Sequence, residues 1–214
     1  MEGNIVPPGK FIPVAEESGL ISLIGEIVFD KVCHFISKND LRVRYGIQYV
    51  EVNLSVRQFE NSNLAQSYIK IMEKYHLDAS CINLEITETA TIQTRKKLLE
   101  NMHTLIDYGV KFSLDDFGNG ECNLNYIVDM PVSIVKFDRD MSQAYFTSQK
   151  AKFVMEASMK MIHDMELAIV SEGVETKEQM ETIAAMGIEY IQGYYFSKPL
   201  PEEEFLQFIS VGNE

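Results

Sequence analysis

This sequence is short of the features that would assign it to several large classes at once. Its three cysteines, Cys33, Cys81 and Cys122, are scattered and have no metal-ligand spacing. They build neither a disulfide framework nor a zinc site, and they fit a reduced, cytoplasmic setting in which Cys33 and Cys81 pack in the core. No apolar run approaches the length of a membrane span, and residues 1–10 lack the cationic and apolar regions of a signal peptide. Positive charge is scarce, with 19 Lys and Arg against 32 Asp and Glu and a net charge of −13. That balance argues against a protein that slides along DNA or RNA, though bound cations would invert the local potential for a small anionic ligand. Linkers, low-complexity tracts and charge blocks are also missing, so 1–214 reads as one domain with a substantial core.

What the sequence does contain is a repeated alternation of helical and extended patterns. Pro7, Pro8 and Pro13 make 1–13 an extended lead-in. Helical periodicity runs from Gly19 to Ile36, and further helices are expected over 63–75, 94–108 and 148–165. Gly109 caps the third, and methionines fill the apolar face of the fourth. Thr176-Lys177-Glu178-Gln179 has capping-box form and opens a fifth helix ending before Gly187, and a last short one follows Pro201.

Between these lie six short apolar runs, and each carries a polar residue suited to metals or protons at or near its end: Asn53, Glu85, Asp115 with Asp116, Lys136, Glu172 and Gln192. They recur roughly every 20 to 36 positions, the cadence of a βα-repeat barrel whose chemistry collects at strand C-termini. The densest run is Ser113-Leu114-Asp115-Asp116-Phe117-Gly118-Asn119-Gly120, where an apolar stretch ends in adjacent carboxylates. Neighbouring aspartates repel, and a divalent cation is the usual reason to tolerate them. With Glu85 and the amide oxygen of Asn53 they offer hard oxygen ligands that suit Mg²⁺ or Mn²⁺ rather than zinc. Glu172 would complete a second position, and two such cations share a water and clamp a phosphoryl displacement. Lys136 would orient that water or stabilise developing charge.

Each residue also has a plainer explanation. A strand-end acid commonly caps a helix, Asn53 before Ser55 suits a cap, and Lys136 suits a surface charge. Gly118 and Gly120 serve turn geometry, since no P-loop surrounds them. His34, His76, His103 and His163 fall in helical contexts and are given no catalytic part. Strand after strand, however, the same kind of residue returns in the same place. An enolase-like barrel that removes a proton beside a carboxylate uses a comparable set, and phosphate-containing against carboxylate-containing ligands would separate the two chemistries.

Several strings resemble the EAL family. They are Phe11-Ile12-Pro13-Val14-Ala15-Glu16-Glu17-Ser18-Gly19-Leu20-Ile21, Val52-Asn53-Leu54-Ser55, Leu84-Glu85-Ile86-Thr87-Glu88, Asp115-Asp116-Phe117-Gly118, Val135-Lys136-Phe137-Asp138, Glu172-Gly173-Val174-Glu175-Thr176 and Gln192-Gly193-Tyr194. They run in order along nearly the whole chain. The resemblance implies an α/β, TIM-barrel-like fold and hydrolysis of cyclic di-GMP to linear pGpG with Mg²⁺ or Mn²⁺, two ions in an intact site. It assigns Asn53, Glu85 and Asp115 to one metal, and Asp116 and Glu172 to the second. Lys136 is placed on the catalytic water, Gln192 beside the cluster, and Glu88 under the loop after Asp116.

Two departures accompany the likeness. The Glu-Ala-Leu signature belongs before Phe11 and is absent, so the expectation is an N-terminally incomplete barrel of about six strands. Its open edge would be covered by homodimerisation or other association. A sensor or cyclase domain upstream in a longer protein is compatible with this. The loop Asn119-Gly120-Glu121-Cys122-Asn123 also differs from the family's usual Thr-Gly-Tyr-Ser-Ser. The alternative to an enzyme is a non-catalytic module that binds cyclic di-GMP or a protein partner.

Overall fold

The computed structural model describes residues 6–87, 95–119 and 125–211. They divide into two units, Met1–Leu84 with Thr89–Val110, and Glu85–Glu88 with Lys111–Glu214.

The first unit is mainly helical. It begins with α1 (Pro8–Glu17), α2 (Ile21–Asn39) and α3 (Leu41–Tyr45), continues through β1 (Val50–Asn53) and α4 (Leu64–Lys74), takes in the start of β2 (Ile82–Thr87) and adds α5 (Arg95–Tyr108). The extended lead-in expected from the prolines is incorrect, because the chain is already helical from Pro8. Pro8 stands in the first turn, where its missing N–H would have had no partner, and Pro13 forfeits a single bond inside a helix that continues to Glu17 and closes with Ser18 N–H donating to Val14 O at 3.0 Å. The other expected helices of this unit are present. Their core centres on Phe29 of α2, stacked on Tyr68 of α4 with ring centroids 4.0 Å apart, and on buried Phe59, Met72 and Leu105. Cys33 and Cys81 are buried free thiols. Ser55, rather than Asn53, caps the short 3-10 turn Val56–Glu60, in a reciprocal capping box with Gln58.

The second unit takes the end of β2, which carries Glu85, and continues with β3 (Lys111–Phe117), α6 (Asn125–Asp129), β4 (Ile134–Phe137), α7 (Arg139–Thr147) and α8 (Gln149–Asp164). It ends with β5 (Ala168–Ser171), α9 (Lys177–Ala185), β6 (Tyr190–Ile191) and α10 (Glu202–Val211). The strands are neighbours in chain order, and β3, β4, β5 and β6 pair in parallel. Parallel pairing buries β4 on both faces, so Ile134, Val135, Lys136 and Phe137 are all inaccessible. A lysine in that run is the first sign that the strand serves more than packing. Helices α3, α6 and α7 have no counterpart among the sequence expectations.

Candidate active site

The bulge in β3 is the local event that builds the site. Leu114 pairs with Val135 and Phe117 with Phe137, so Asp115 and Asp116 together stand opposite the single residue Lys136. An extra residue of this kind bends a strand and re-aims its side chains. Asp116 absorbs the bend with φ of 59°, a left-handed conformation that Asp tolerates better than most non-glycine residues.

Around Lys136 the second unit gathers three acids. The Nζ atom donates a hydrogen bond to Glu85 Oε1, and it lies 2.7 Å from Glu172 Oε1 and 3.4 Å from Asp115 Oδ1. Lys136 is 3% exposed and Glu85 6%, so this is an interior cluster and not a surface ion pair. The plain reading of Lys136 as a surface charge is therefore wrong. One ammonium against three carboxylates leaves negative charge in excess, and Asp116 stands next in sequence. Burial raises the pKa of Asp116, and the neighbouring charges of Asp115 and Asp138 push the same way against the opposing effect of Lys136. Burial likewise raises Glu172, although Lys136 counteracts it. For Lys136 itself burial disfavours the charge, but Glu85, Asp115 and Glu172 outweigh it and hold the ammonium protonated.

The donor set suits a hard cation in chemistry. Asp115 Oδ1 is buried and lacks a hydrogen-bond partner, the state in which a carboxylate oxygen gains most from a cation. Among the described residues no three His, Cys, Asp or Glu side chains stand in metal-ligand geometry, and the acids converge on the lysine.

Glu172 and Gln192 border a cavity of about 430 Å³ whose walls include Arg139, Glu175, Tyr194 and Phe205. Tyr194 is 60% exposed there. Gln192 joins the site through its backbone: its N–H donates to Ser171 O at 2.9 Å and its carbonyl accepts from Val174 N–H at 3.1 Å. Gly193 permits this crossing, since a Cβ at that position would meet Val174 O at 2.0 Å.

Thus Glu85, Asp115 and Glu172 meet on Lys136, while Asp116 and Gln192 lie at the ends of the same unit's strands. Asn53 belongs to the first unit, exposed at the end of β1. Glu88 lies outside the described residues, as does the 120–123 part of the loop that differs from the expected pattern.

A family model described as the EAL domain matches residues 1–199. The chain belongs to the EAL domain family. It is 33% identical over 211 residues to the signaling protein YkoW of Bacillus subtilis, covering 97% of this chain and 26% of that one. It is 28% identical over 206 residues to the cyclic di-GMP phosphodiesterase PdeL of Escherichia coli, covering 95% of this chain and 56% of that one. Among solved structures, a MucR phosphodiesterase in complex with c-di-GMP matches with a TM-score of 0.85 and 31% identity, covering 95% of this chain and 82% of that one. The fold is accordingly the α/β, TIM-barrel-like fold of EAL domains, as the sequence implied. This EAL domain spans 26% to 30% of the length of the first curated relatives it matches.

Sequence reasoning missed α7, and with it Arg139, Ser142 and Gln143, which touch the segment carrying Glu172. A signal was available in Asp138, which follows a strand and caps the helix by accepting from Asp140 N–H at 2.8 Å.

Proposed function

We propose that this EAL domain is a phosphodiesterase that opens cyclic di-GMP to linear pGpG with the help of divalent cations. The carrying observation is the convergence of Glu85, Asp115 and Glu172 on the buried ammonium of Lys136, in a chain whose relatives include named cyclic di-GMP phosphodiesterases. Mg²⁺ or Mn²⁺ bound there would supply Lewis acidity toward a phosphate oxygen and a more acidic water.

The remaining work falls to the chain's own groups. Glu85, Asp115, Asp116 and Glu172 provide the oxygen donors, and the bulge presents two of them from adjacent positions. Lys136 holds the acids together, and its protonated Nζ is suited to orient a water or to stabilise negative charge that grows on the phosphate. The cavity beside Glu172 and Gln192 has the size of a small-molecule site, with the aromatic Tyr194 and Phe205 for a planar group and Arg139 for an anionic one.

A second reading, a module that binds cyclic di-GMP without cleaving it, draws on the cavity beside Glu172 and Gln192, which suits a ligand whether or not the acids around Lys136 do chemistry. Incubation with cyclic di-GMP and Mn²⁺, with the nucleotides separated by chromatography, distinguishes the two. Appearance of pGpG supports the enzyme, intact nucleotide with calorimetric binding supports the module, and absence of both contradicts both.

A further inference from the structure

Helix α7 turns one side, Arg139, Ser142 and Gln143, toward the segment after β5. Ser142 Oγ lies 3.0 Å from Ser171 Oγ, both hydroxyls buried, and Arg139 Nη2 donates to Glu175 Oε1 at 2.8 Å. Gly173 has φ of 72°, and a Cβ there would come within 2.3 Å of Arg139 Cγ, so helix and segment are in direct contact. Gln143 Nε2 donates to Gly173 O, one residue beyond Glu172. Gln143 Oε1 in turn accepts from Gln179 Nε2 at 3.0 Å. Gln179 Oε1 accepts from the N–H of Glu175 at 2.8 Å and of Thr176 at 3.2 Å.

The polarity of this chain of amides is fixed at both ends. Backbone N–H groups at Glu175 and Thr176 require an oxygen from Gln179, which leaves its nitrogen to face Gln143. Gln143 must then offer its oxygen to Gln179 and its nitrogen to the Gly173 carbonyl. Strand contacts secure the rest of the segment: Glu172 N–H donates to Phe137 O, Val174 N–H to Gln192 O, and Tyr195 N–H to Val174 O. The backbone that carries Glu172 is thus held on one side by strands and on the other by two glutamine side chains.

We propose that Gln143 and Gln179 form an amide relay that positions Glu172 against Lys136, which makes them positioning residues for the reaction. The functional part of this rests on the phosphodiesterase reading above. Gln143→Glu is the sharpest perturbation, because a carboxylate still accepts from Gln179 but cannot donate to Gly173 O and repels it. Gln143→Ala removes both bonds without adding charge, and Gln179→Glu keeps the acceptor for Glu175 and Thr176 while losing the donor to Gln143.

The test pairs amide hydrogen exchange, resolved by NMR, with steady-state kinetics on cyclic di-GMP. In both Gln143 variants the amides of Val174, Glu175 and Thr176 should exchange faster while those of β3 and β4 stay protected. The turnover number kcat should fall on the order of 10- to 100-fold with KM changed less than about threefold, as misplacement of one reacting group implies. Gln179→Glu should fall between these variants and the parent. Unchanged exchange in the Gln143 variants overturns the relay. Faster exchange with unchanged kcat overturns its catalytic role. A parent chain that leaves cyclic di-GMP intact contradicts the phosphodiesterase reading, and the exchange measurement then judges the relay alone.

Discussion

Replacing Lys136 with Met removes a charge and keeps most of the side chain's volume, which makes it the most revealing single perturbation of this domain. Three carboxylates lose the cation they share. Removing one member of a buried ion pair typically costs about 3–5 kcal/mol, since the group left behind remains desolvated. Glu85 is 6% exposed, but Asp115 and Glu172 are 16% and 19% exposed at their side chains, so water relieves part of the penalty. The lower end, about 3 kcal/mol, is the appropriate figure, and for a chain of this length it corresponds to a fall in Tm of about 6–12 °C.

The sign of the pH dependence follows from Glu172. Burial already raises its pKa and Lys136 counteracts that, so Lys136→Met raises the folded-state pKa further. A carboxylate raised in the folded state costs nothing below its unfolded pKa and costs most above its folded one, so stability falls as pH rises through that window. The destabilisation should therefore be larger at pH 8 than at pH 5. Thermal unfolding of parent and variant, followed by circular dichroism at both pH values, measures it. A Tm within about 2 °C of the parent at pH 8, or a larger loss at pH 5, would refute the argument from uncompensated buried charge.

Other predictions follow from the same structure. Millimolar Mn²⁺ should raise the Tm of the parent and leave that of Asp115→Asn unmoved, because the buried Oδ1 without a hydrogen-bond partner is the oxygen most in need of a cation; equal shifts would remove Asp115 from the ligand set. Thr176→Ala deletes the acceptor for Gln179 N–H, and differential scanning calorimetry should show a loss of about 1 kcal/mol. Cys33 is fully buried, and burial, with Asp30 nearby, pushes its thiol up to about 12. Mass-spectrometric mapping after native maleimide treatment at pH 7 should find Cys33 unmodified, and labelling there at the rate of a free thiol would contradict the packing of α2.

How much of this was legible in the sequence depended on whether a signal was local. The strands announced themselves as short apolar-rich segments between helical patterns, and the polar residue near each end stood out because it recurred from one segment to the next. The box of Thr176 and Gln179 was equally plain, since its parts lie three residues apart. Helix α7 was not, because its two buried residues are Ser142 and Tyr145, which give no apolar stripe. The β3 bulge was hidden because it exists only in the register against β4. The link from Gln143 to Gln179 spans 36 positions and has no periodic trace. Proline misled at the N-terminus, where its first-turn tolerance made a helix start look like an extended segment.

In the phosphodiesterase proposed for this domain, the acids around Lys136 form the working site. The most direct test compares the parent with Glu172→Gln, timing release of pGpG from cyclic di-GMP in the presence of Mn²⁺. The parent should release pGpG, and the variant should release it at least on the order of a hundredfold more slowly, the cost of losing one charged group at the reacting centre. Equal rates, or no pGpG from the parent, would contradict that proposal.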